Sequence, residues 1–158
     1  MSRAFTKDDD TGSAIAEIGE RPVSQHRNLV TAEGLAKIDA EVASLRADLA
    51  RAEAEHDRER IALMSRDLRY WNARRESAEL SVPDPGSDVV RFGMTVTIED
   101  ENGKKKRWKI VGEDEADAAH GTISHVSPMA AAMFGKKVGE TATVNGKGWE
   151  IVKMKAGA

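Results

Sequence analysis

Residues 35–52 read LAKIDAEVASLRADLARA, and this stretch decides the fold. Apolar side chains recur along it in alternating steps of three and four residues, which places them on one stripe of an α-helix. The stripe consists of Leu35, Ile38, Val42, Leu45, Leu49 and Ala52. Thr31 precedes the stretch and is a residue type favoured at helix N-caps. The pattern predicts a helix that begins after Thr31 and buries this stripe against a partner.

A second stripe with the same spacing follows a polar bend. It consists of Ile61, Met64, Leu68, Trp71, Arg75 and Ala78, and Pro83 and Pro85 end the pattern. The bend, residues 55–60, reads EHDRER and offers no apolar residue to continue the first stripe. We therefore predict an antiparallel coiled-coil hairpin over residues 29–81, in which Arg75 extends its charged end to solvent or meets an acid such as Glu33 or Glu41. The alternative is one long helix that dimerises.

The C-terminal part changes to the period of two that is typical of β-strands. Two alternating runs flank the pair Asn102-Gly103, and a second Asn-Gly pair at 145–146 separates two further runs. Asn-Gly between alternating runs is a strong signal for a β-hairpin. Ser127 and Pro128 are favoured at the N-cap and first position of a helix, so a short helix follows the third strand.

These patterns predict an α+β chain with four parts: a helical hairpin and a small antiparallel domain, with a tail and a linker. Residues 1–28 include three consecutive aspartates and little apolar surface, so we expect a disordered acidic tail. The hairpin covers residues 29–81. Residues 82–90 contain two prolines and a glycine and form a linker. The small domain covers residues 91–158.

Composition limits the classes of function. Of the 158 residues 32% are charged and 4% aromatic, which favours a solvated rod beside a small aliphatic core. The net charge of -3 excludes a broadly basic coat for nucleic acid. The chain has no cysteine, so disulfides, thiol catalysis and thiolate metal sites are excluded. With neither an apolar run of about 20 residues nor the apolar core of a signal peptide, we expect a cytoplasmic protein that does not contact membranes.

Four C-terminal stretches together resemble the Gre transcript-cleavage factor family. They are FGMTVTI at 92–98, WKIVGEDEAD at 108–117, TISHVSPMAAAMFGKKVGE at 122–140 and WEIVKM at 149–154. In that family the patterns IVGxDEAD, ISxxSP and GKxxGD occur in the same order and at the same spacing. With the hairpin included, the resemblance covers about residues 29–155.

The resemblance implies RNA polymerase as the partner. The C-terminal domain of this family has a fold like that of FK506-binding proteins (FKBP-like) and docks at the rim of the polymerase secondary channel, while the coiled coil points its tip at the active centre. The residues of this chain that match the docking segments are Asp114, Ser124, Ser127 and Pro128. The resemblance implies no cofactor of its own, a Mg²⁺ ion shared with the polymerase, indirect contact with nascent RNA or DNA, and a monomer.

The hairpin tip departs from the family pattern. Cleaving members carry Asp-Leu-Lys-Glu-Asn at the tip, whereas this chain reads EHDRERIA. Asp57 aligns with the family aspartate, and Glu59 is the nearest match to the glutamate, so both are candidates for catalytic and metal-binding roles. They are two positions apart, which places them on roughly opposite sides of a helix. Arg58 and Arg60 flank them, and their charge opposes a bound cation. The hairpin is also shorter, by roughly six residues in each helix, which is about 9 Å.

Two other charged stretches allow more than one interpretation. Residues 104–109, KKKRWK, could contact nucleic acid through the lysines and Trp108, but alternation places Trp108 on the core side, opposite Arg107 and Lys109. Residues 112–117, GEDEAD, lack the spacing of a calcium loop. We interpret them as a surface turn that faces the basic groups of a partner or of the hairpin.

Four functions therefore remain open. The first is an elongation factor that binds the secondary channel and assists cleavage of backtracked transcripts, and the second is a non-cleaving regulator that competes with cleavage factors. The third is a coiled-coil adaptor for another partner. The fourth is a peptidyl-prolyl isomerase, which needs a pocket lined by aromatic residues. The C-terminal domain offers only Phe92, Trp108, Phe134 and Trp149 for such a pocket. In the first three cases the protein is not itself an enzyme.

Overall fold

A computed structural model describes residues 18–157 of the chain, which divide into two compact units. The first unit contains the described residues up to Gln25 together with Ala36–Ser77. The second unit contains His26–Leu35 together with the described residues from Ala78 onward. The predicted helices lie mainly in the first unit, and the predicted strands lie in the second.

The first predicted helix is confirmed. Helix α1 spans Ala32–Ala54, and the side chain of Thr31 caps it, because Thr31 Oγ1 accepts a hydrogen bond from the Gly34 amide at 3.0 Å. All six predicted stripe residues are removed from solvent: Ile38, Val42, Leu45 and Ala52 are buried, and Leu35 and Leu49 are half-buried. Within residues 18–157, no helix is both long and apolar enough to cross a membrane.

The second helix is present, but its buried face differs from the prediction. Helix α2 spans Arg58–Ser77, and its fully buried residues are Ala62 and Arg74. The predicted stripe residues Ile61, Met64, Leu68 and Trp71 are only half-buried. Arg75 is exposed, and its Nε donates to Asp39 Oδ1 of α1 at 2.6 Å. Arg75 therefore meets an acid of the first helix, but that acid is Asp39 and not Glu33 or Glu41. The two fully buried positions thus lie next to Ile61 and Arg75 of the predicted stripe and not on it.

Part of the predicted tail contacts α2. The first 17 residues of the tail lie outside the described residues. Beyond them, the Arg21 guanidinium lies 4.0 Å from the centre of the Tyr70 ring. Arg69 Nε donates to Glu20 Oε2 at 3.1 Å. A cation over an aromatic ring and an ion pair thus connect residues 20–21 to the helix.

A short parallel ladder, which no sequence pattern predicted, lies in the second unit. Strand β1, Leu29–Val30, pairs with strand β2, Glu79–Leu80. The Glu79 amide donates to the Asn28 carbonyl at 2.8 Å, and the Ser81 amide donates to the Val30 carbonyl at 3.0 Å. Strands of two residues have no readable period, so sequence patterns cannot indicate them.

The second unit contains a five-stranded sheet in the order β5-β4-β3-β7-β6. The strands are β3 Met94–Glu99, β4 Lys105–Val111, β5 Thr122–Ser124, β6 Thr141–Val144 and β7 Lys147–Ala156. Three of the four pairings are antiparallel, whereas β4 and β5 are parallel. The α+β prediction is confirmed, but the sheet is mixed, because residues 112–121 carry the chain back along the edge of the sheet before β5 begins.

One face of the sheet and helix α3, Pro128–Met133, enclose the core. The core consists of Val90, Phe92, Val96, Ile98, Ile110, Ile123, Ala130, Met133, Ala142, Trp149 and Ile151. Residues of α3 and of all five strands contribute to this list, so a single apolar layer holds the sheet and the helix together. The arrangement is consistent with the predicted FKBP-like domain.

The two Asn-Gly pairs form different turns. Asn145 and Gly146 both have positive φ, at 51° and 77°, and they form the predicted two-residue hairpin turn between β6 and β7. At the β3–β4 turn only Gly103 of the pair has a positive φ, at 78°. There the Asp100 side chain accepts hydrogen bonds from two backbone amides, each at 2.9 Å, and so holds a longer turn.

Candidate functional site

The hairpin tip is a closed turn of residues 55–57 between the two helices. The amides of His56 and Asp57 donate to the carbonyls of Glu53 and Ala52, at 3.2 and 3.0 Å. His56 has a left-handed backbone with φ of 55°. This pattern is the Schellman motif, in which the residues after a helix satisfy its last carbonyls. The last turn of α1 is therefore well bonded up to the bend.

Asp57, one of the two predicted tip residues, caps helix α2. Its Oδ1 accepts a hydrogen bond from the Arg60 amide at 3.2 Å, which is the contact of an N-cap side chain. Glu59 lies in the first turn of α2 and is exposed. Arg60 also reaches across the bend, where its Nη1 lies 2.9 Å from Glu55 Oε2. Both cap and ion pair stabilise the turn itself.

The tip does not fit a magnesium site of its own. Among residues 18–157, no group of three or more His, Cys, Asp or Glu side chains is placed to hold a metal ion. One oxygen of Asp57 is already bound to the Arg60 amide. The neighbouring guanidinium of Arg60 pairs with Glu55 and adds a positive charge that opposes a cation. The roles predicted for Asp57 and Glu59 at a shared metal therefore stay predictions.

The two predicted docking segments lie at the same edge of the sheet. Strands β4 and β5 are parallel neighbours, with Val111 opposite Ser124 at their ends. The loop after β4 contains Asp114, and the loop after β5 contains Ser127 and Pro128. The His125 amide donates to the Val111 carbonyl at 2.9 Å and fixes one loop against the end of the other strand. Residues more than ten positions apart in sequence thus form one surface.

The loop after β5 is held by its serines. Ser124 Oγ accepts from the Val126 amide at 3.2 Å, and Ser127 Oγ accepts from the Ala130 amide at 3.3 Å as the N-cap of α3. Pro128 occupies the start of the helix, as predicted, and is exposed. Val126 is 38% exposed between the two serines. The loop therefore presents a valine and a proline to solvent on a rigid backbone.

The acids of the GEDEAD stretch have separate local roles. Glu115 accepts hydrogen bonds from the Thr31 amide at 3.2 Å, from the Thr31 hydroxyl, and from the Gly112 amide at 3.1 Å. It therefore holds the residue that caps α1. Asp117 accepts from the Ala119 amide at 3.2 Å and caps a single turn of 3-10 helix. The predicted surface turn is present, and the role of Glu115 at the start of α1 was missed.

Gly34 explains how Glu115 reaches the start of α1. A Cβ atom at position 34 would lie 2.1 Å from the Glu115 carboxyl carbon, so any other residue there would displace that carboxylate from its observed position. Sequence patterns carry a weak signal for this contact, namely a glycine in the first turn of an otherwise alanine-rich helix, where it weakens the helix by about 1 kcal/mol.

His125 lies within the predicted docking segment 124–128. Its ring packs edge-to-face on Phe92, with ring centres 5.6 Å apart. Burial lowers the pKa of His125, and the nearby Glu113 carboxylate opposes this effect. The imidazole is therefore favoured in its neutral form at neutral pH.

The aromatic residues of the second unit serve its core. Phe92 and Trp149 are buried within it, and Trp108 and Phe134 pack against it. Trp108 thus lies on the core side of β4, as alternation predicts. An isomerase pocket would need these rings to line an open cavity, and their use in the core gives no support to that alternative.

Comparison with known proteins places the chain beside one family. Residues 84–156 match the family model described as "Transcription elongation factor, GreA/GreB, C-term". A transcription elongation factor GreA of Bradyrhizobium diazoefficiens is 43% identical over 110 residues, which cover 66% of this chain and 66% of that protein. The GreA of Rhodopseudomonas palustris is 46% identical over 80 residues, 48% of this chain and 51% of that protein. The match thus spans slightly less than two thirds of the first curated relative and about half of the second.

Solved structures of related proteins are also similar. GreA factor homolog 1 (Gfh1) of Thermus thermophilus is 18% identical, and the match covers 83% of this chain and 100% of that chain with a TM-score of 0.40. A GreA/GreB elongation factor of Nitrosomonas europaea is 17% identical, covering 83% and 99% with a TM-score of 0.39.

Proposed function

The chain belongs to the GreA/GreB family of transcription elongation factors, and from that premise we propose that it binds RNA polymerase at the secondary channel and modulates elongation there. The second unit supplies the docking surface, and the helical hairpin is the part that enters the channel. A polymerase partner implies action in the cytoplasm. The protein does not hydrolyse RNA itself in this proposal.

The observation that carries the proposal is that the loops after β4 and β5 lie at the same edge of the sheet, which we call the β4–β5 edge. Parallel pairing places Val111 and Ser124 side by side at the ends of the two strands, and Asp114 and the segment 125–128 follow those ends in the chain. The surface combines an acidic side chain with exposed Val126 and Pro128. Interfaces of this kind use a small apolar centre for affinity and a charged rim for orientation and association rate.

The hairpin supports occupation of the channel more than delivery of a metal ion. Helix α1 has 23 residues, which corresponds to about 34 Å at 1.5 Å per residue. At its tip, Asp57 is used as a helix cap and Arg60 pairs with Glu55. We therefore favour the non-cleaving regulator, which competes for the channel with factors that stimulate transcript cleavage.

The test is the affinity for cognate RNA polymerase, measured by biolayer interferometry with immobilised polymerase. We compare wild type with Asp114→Asn and with Glu101→Gln, an exposed acid in the turn between β3 and β4, at the other end of the sheet. Both substitutions remove one negative charge, so their general effects are matched. We expect Asp114→Asn to weaken binding at least about tenfold, about 1.4 kcal/mol, and Glu101→Gln to leave it within about twofold.

Two results would contradict the proposal. Absence of polymerase binding by wild type would favour the adaptor, which has another partner. Equal effects of the two substitutions would remove the β4–β5 edge as the docking surface. A transcription assay on backtracked complexes then separates occupation from cleavage, because a non-cleaving occupant inhibits a cleaving factor and shortens no transcript itself.

A further inference from the structure

The outer face of the sheet, opposite the core, carries two rows of cations. Strand β3 runs between β4 and β7, and Thr97 lies opposite Arg107 on one side and Lys153 on the other. Two residues along the strand, Thr95 lies opposite Lys109 and Lys155 in the same way. Side chains that are opposite one another in a ladder point to the same face of the sheet. Each row therefore reads cation, threonine, cation.

Three of these cations lack a counter-charge among the residues that the structure describes. Arg107, Lys153 and Lys155 are exposed, and none of them forms an ion pair with another residue in the 18–157 range. By contrast, the arginines of the hairpin surface are mostly paired, as Arg51 is with Asp48 and Arg60 with Glu55. The chain as a whole has a net charge of -3, so an unpaired positive face is a local departure from its composition.

The fourth cation, Lys109, differs from the other three. It is half-buried, and its charge acts on Glu33 at the start of α1, where the backbone amide of Glu33 and then Lys109 hold the pKa of that carboxyl below its usual range. Lys109 is therefore partly neutralised within the second unit, and we do not include it in the binding set.

The three unpaired cations surround a recess. A cavity of about 200 Å³ is lined by Thr95, Thr97, Arg107, Lys153 and Lys155. The Thr95 hydroxyl is committed to the Gly157 carbonyl, to which it donates at 2.6 Å. Thr97 thus offers a hydroxyl between the cations. Neighbouring strands lie about 4.8 Å apart, so Arg107 on β4 and Lys153 on β7 are about 10 Å apart across the recess.

A recess of this width fits one strand of a phosphate backbone. Arginine and lysine bind phosphate oxygens, arginine with two parallel N–H bonds. The indoles of Trp108 and Trp149 pack with the core on the opposite face, so neither indole offers a surface on which a base could stack here. A duplex would need a ridge that enters its groove rather than a recess.

We propose that the outer sheet face binds the sugar-phosphate backbone of single-stranded nucleic acid through Arg107, Lys153 and Lys155. The contact is to phosphates, so binding is independent of base identity and sensitive to salt. The proposal goes beyond the docking of polymerase, because the face is separate from the β4–β5 edge and acts without that partner.

The experiment measures fluorescence anisotropy of a labelled twelve-nucleotide oligouridylate with the full chain at low salt. The test variant is Arg107→Gln/Lys153→Gln/Lys155→Gln. The control variant is Arg91→Gln/Lys104→Gln/Lys137→Gln, which removes one arginine and two lysines elsewhere on the second unit and so leaves the same net charge. Far-ultraviolet circular dichroism confirms that each variant is folded.

We expect wild type to bind with micromolar affinity. The affinity should fall at least about tenfold in the test variant and less than about threefold in the control variant. Three phosphate contacts to a single strand give a slope of about -2 for log K against log salt, and the test variant should lose most of this slope. Oligoadenylate should bind within about twofold of oligouridylate, because the three cations contact phosphates and not bases.

Several results would overturn the proposal. An equal loss in the control would mean that only net charge matters. Tighter binding of a twelve-base-pair duplex would point to another geometry. Full displacement by an equimolar twelve-residue polyglutamate would mean that the face is a docking site for acidic proteins. Because polymerase is absent from the assay, these outcomes do not depend on the docking edge, and a failure of polymerase binding leaves them unchanged.

Discussion

Replacing Asp57 by alanine and by asparagine separates the two roles that this side chain can have at the hairpin tip. As a cap, the side chain needs only an oxygen that accepts from the Arg60 amide, at the observed 3.2 Å. As a metal ligand, it needs its negative charge. Asparagine keeps the oxygen and loses the charge, whereas alanine loses both. The pair of variants therefore distinguishes a structural carboxylate from one that serves a cation.

The expected magnitudes follow from the contact. Loss of an N-cap side chain destabilises a helix by about 1 kcal/mol, so Asp57→Ala should lower the free energy of unfolding by about that amount. Asparagine caps about as well as aspartate. Asp57→Asn should cost only about 0.3 kcal/mol, from the lost interaction of the charge with the helix dipole at an exposed site.

Two measurements check these values. Urea unfolding followed by circular dichroism at 222 nm gives the free energies, and amide hydrogen exchange reports the Arg60 amide directly. Exchange of that amide should accelerate about fivefold in Asp57→Ala, the equivalent of 1 kcal/mol, and remain near wild type in Asp57→Asn. Equal destabilisation by both substitutions, or none by alanine, would refute the capping role.

The same variants test the function of the tip. In backtracked elongation complexes with Mg²⁺, an occupant of the channel shortens no transcript, and Asp57→Asn should inhibit a cleaving factor as well as wild type does. If wild type instead stimulates shortening and Asp57→Asn abolishes it with stability unchanged, the carboxylate acts on a metal ion and the occupation proposal is wrong.

Three further substitutions have defined outcomes. Gly34→Ala should destabilise the chain by about 1 kcal/mol, although alanine favours helices, because the new Cβ displaces the Glu115 carboxylate. In a Glu115→Ala background the same change should be stabilising. A double-mutant cycle with urea unfolding measures both effects. His56→Gly should stabilise by up to about 1 kcal/mol by relieving a left-handed backbone, and an unchanged urea midpoint would contradict this. Burial lowers the pKa of His125, so near pH 6 the unfolded chain binds more protons than the folded chain does. The free energy of unfolding should therefore fall from pH 7 to pH 5. His125→Asn should reduce that fall, as measured by tryptophan fluorescence in urea.

Most of the fold is readable from local sequence because periodic burial determines it. The stripe on α1 and the strands flanking Asn145-Gly146 follow patterns that short-range geometry explains. The errors occurred where a distant contact overrides the pattern. Ala62 and Arg74 form the buried face of α2 in place of the predicted stripe, and the parallel pairing of β5 depends on a return of the chain that no local signal encodes.

The candidate site was predictable only in part, for the same reason. Family motifs indicated Asp114 and Ser124, but their proximity depends on the parallel register of β4 and β5. The capping role of Asp57 could have been read from its position before a helix. The role of Glu115 could not have been read from local sequence, because its partner Thr31 is 84 positions away in the chain.

Acidic residues in this chain therefore differ in function according to which backbone amides they meet. Glu115 accepts from the Thr31 amide at the start of α1, and Asp57 accepts from the Arg60 amide at the start of α2. A carboxylate bound in this way must break a hydrogen bond before it can serve a metal ion, whereas exposed Glu59 need not. If the tip supports cleavage at all, Glu59→Gln should then reduce it more than Asp57→Asn does, and the opposite order would mean that the polymerase rearranges the tip.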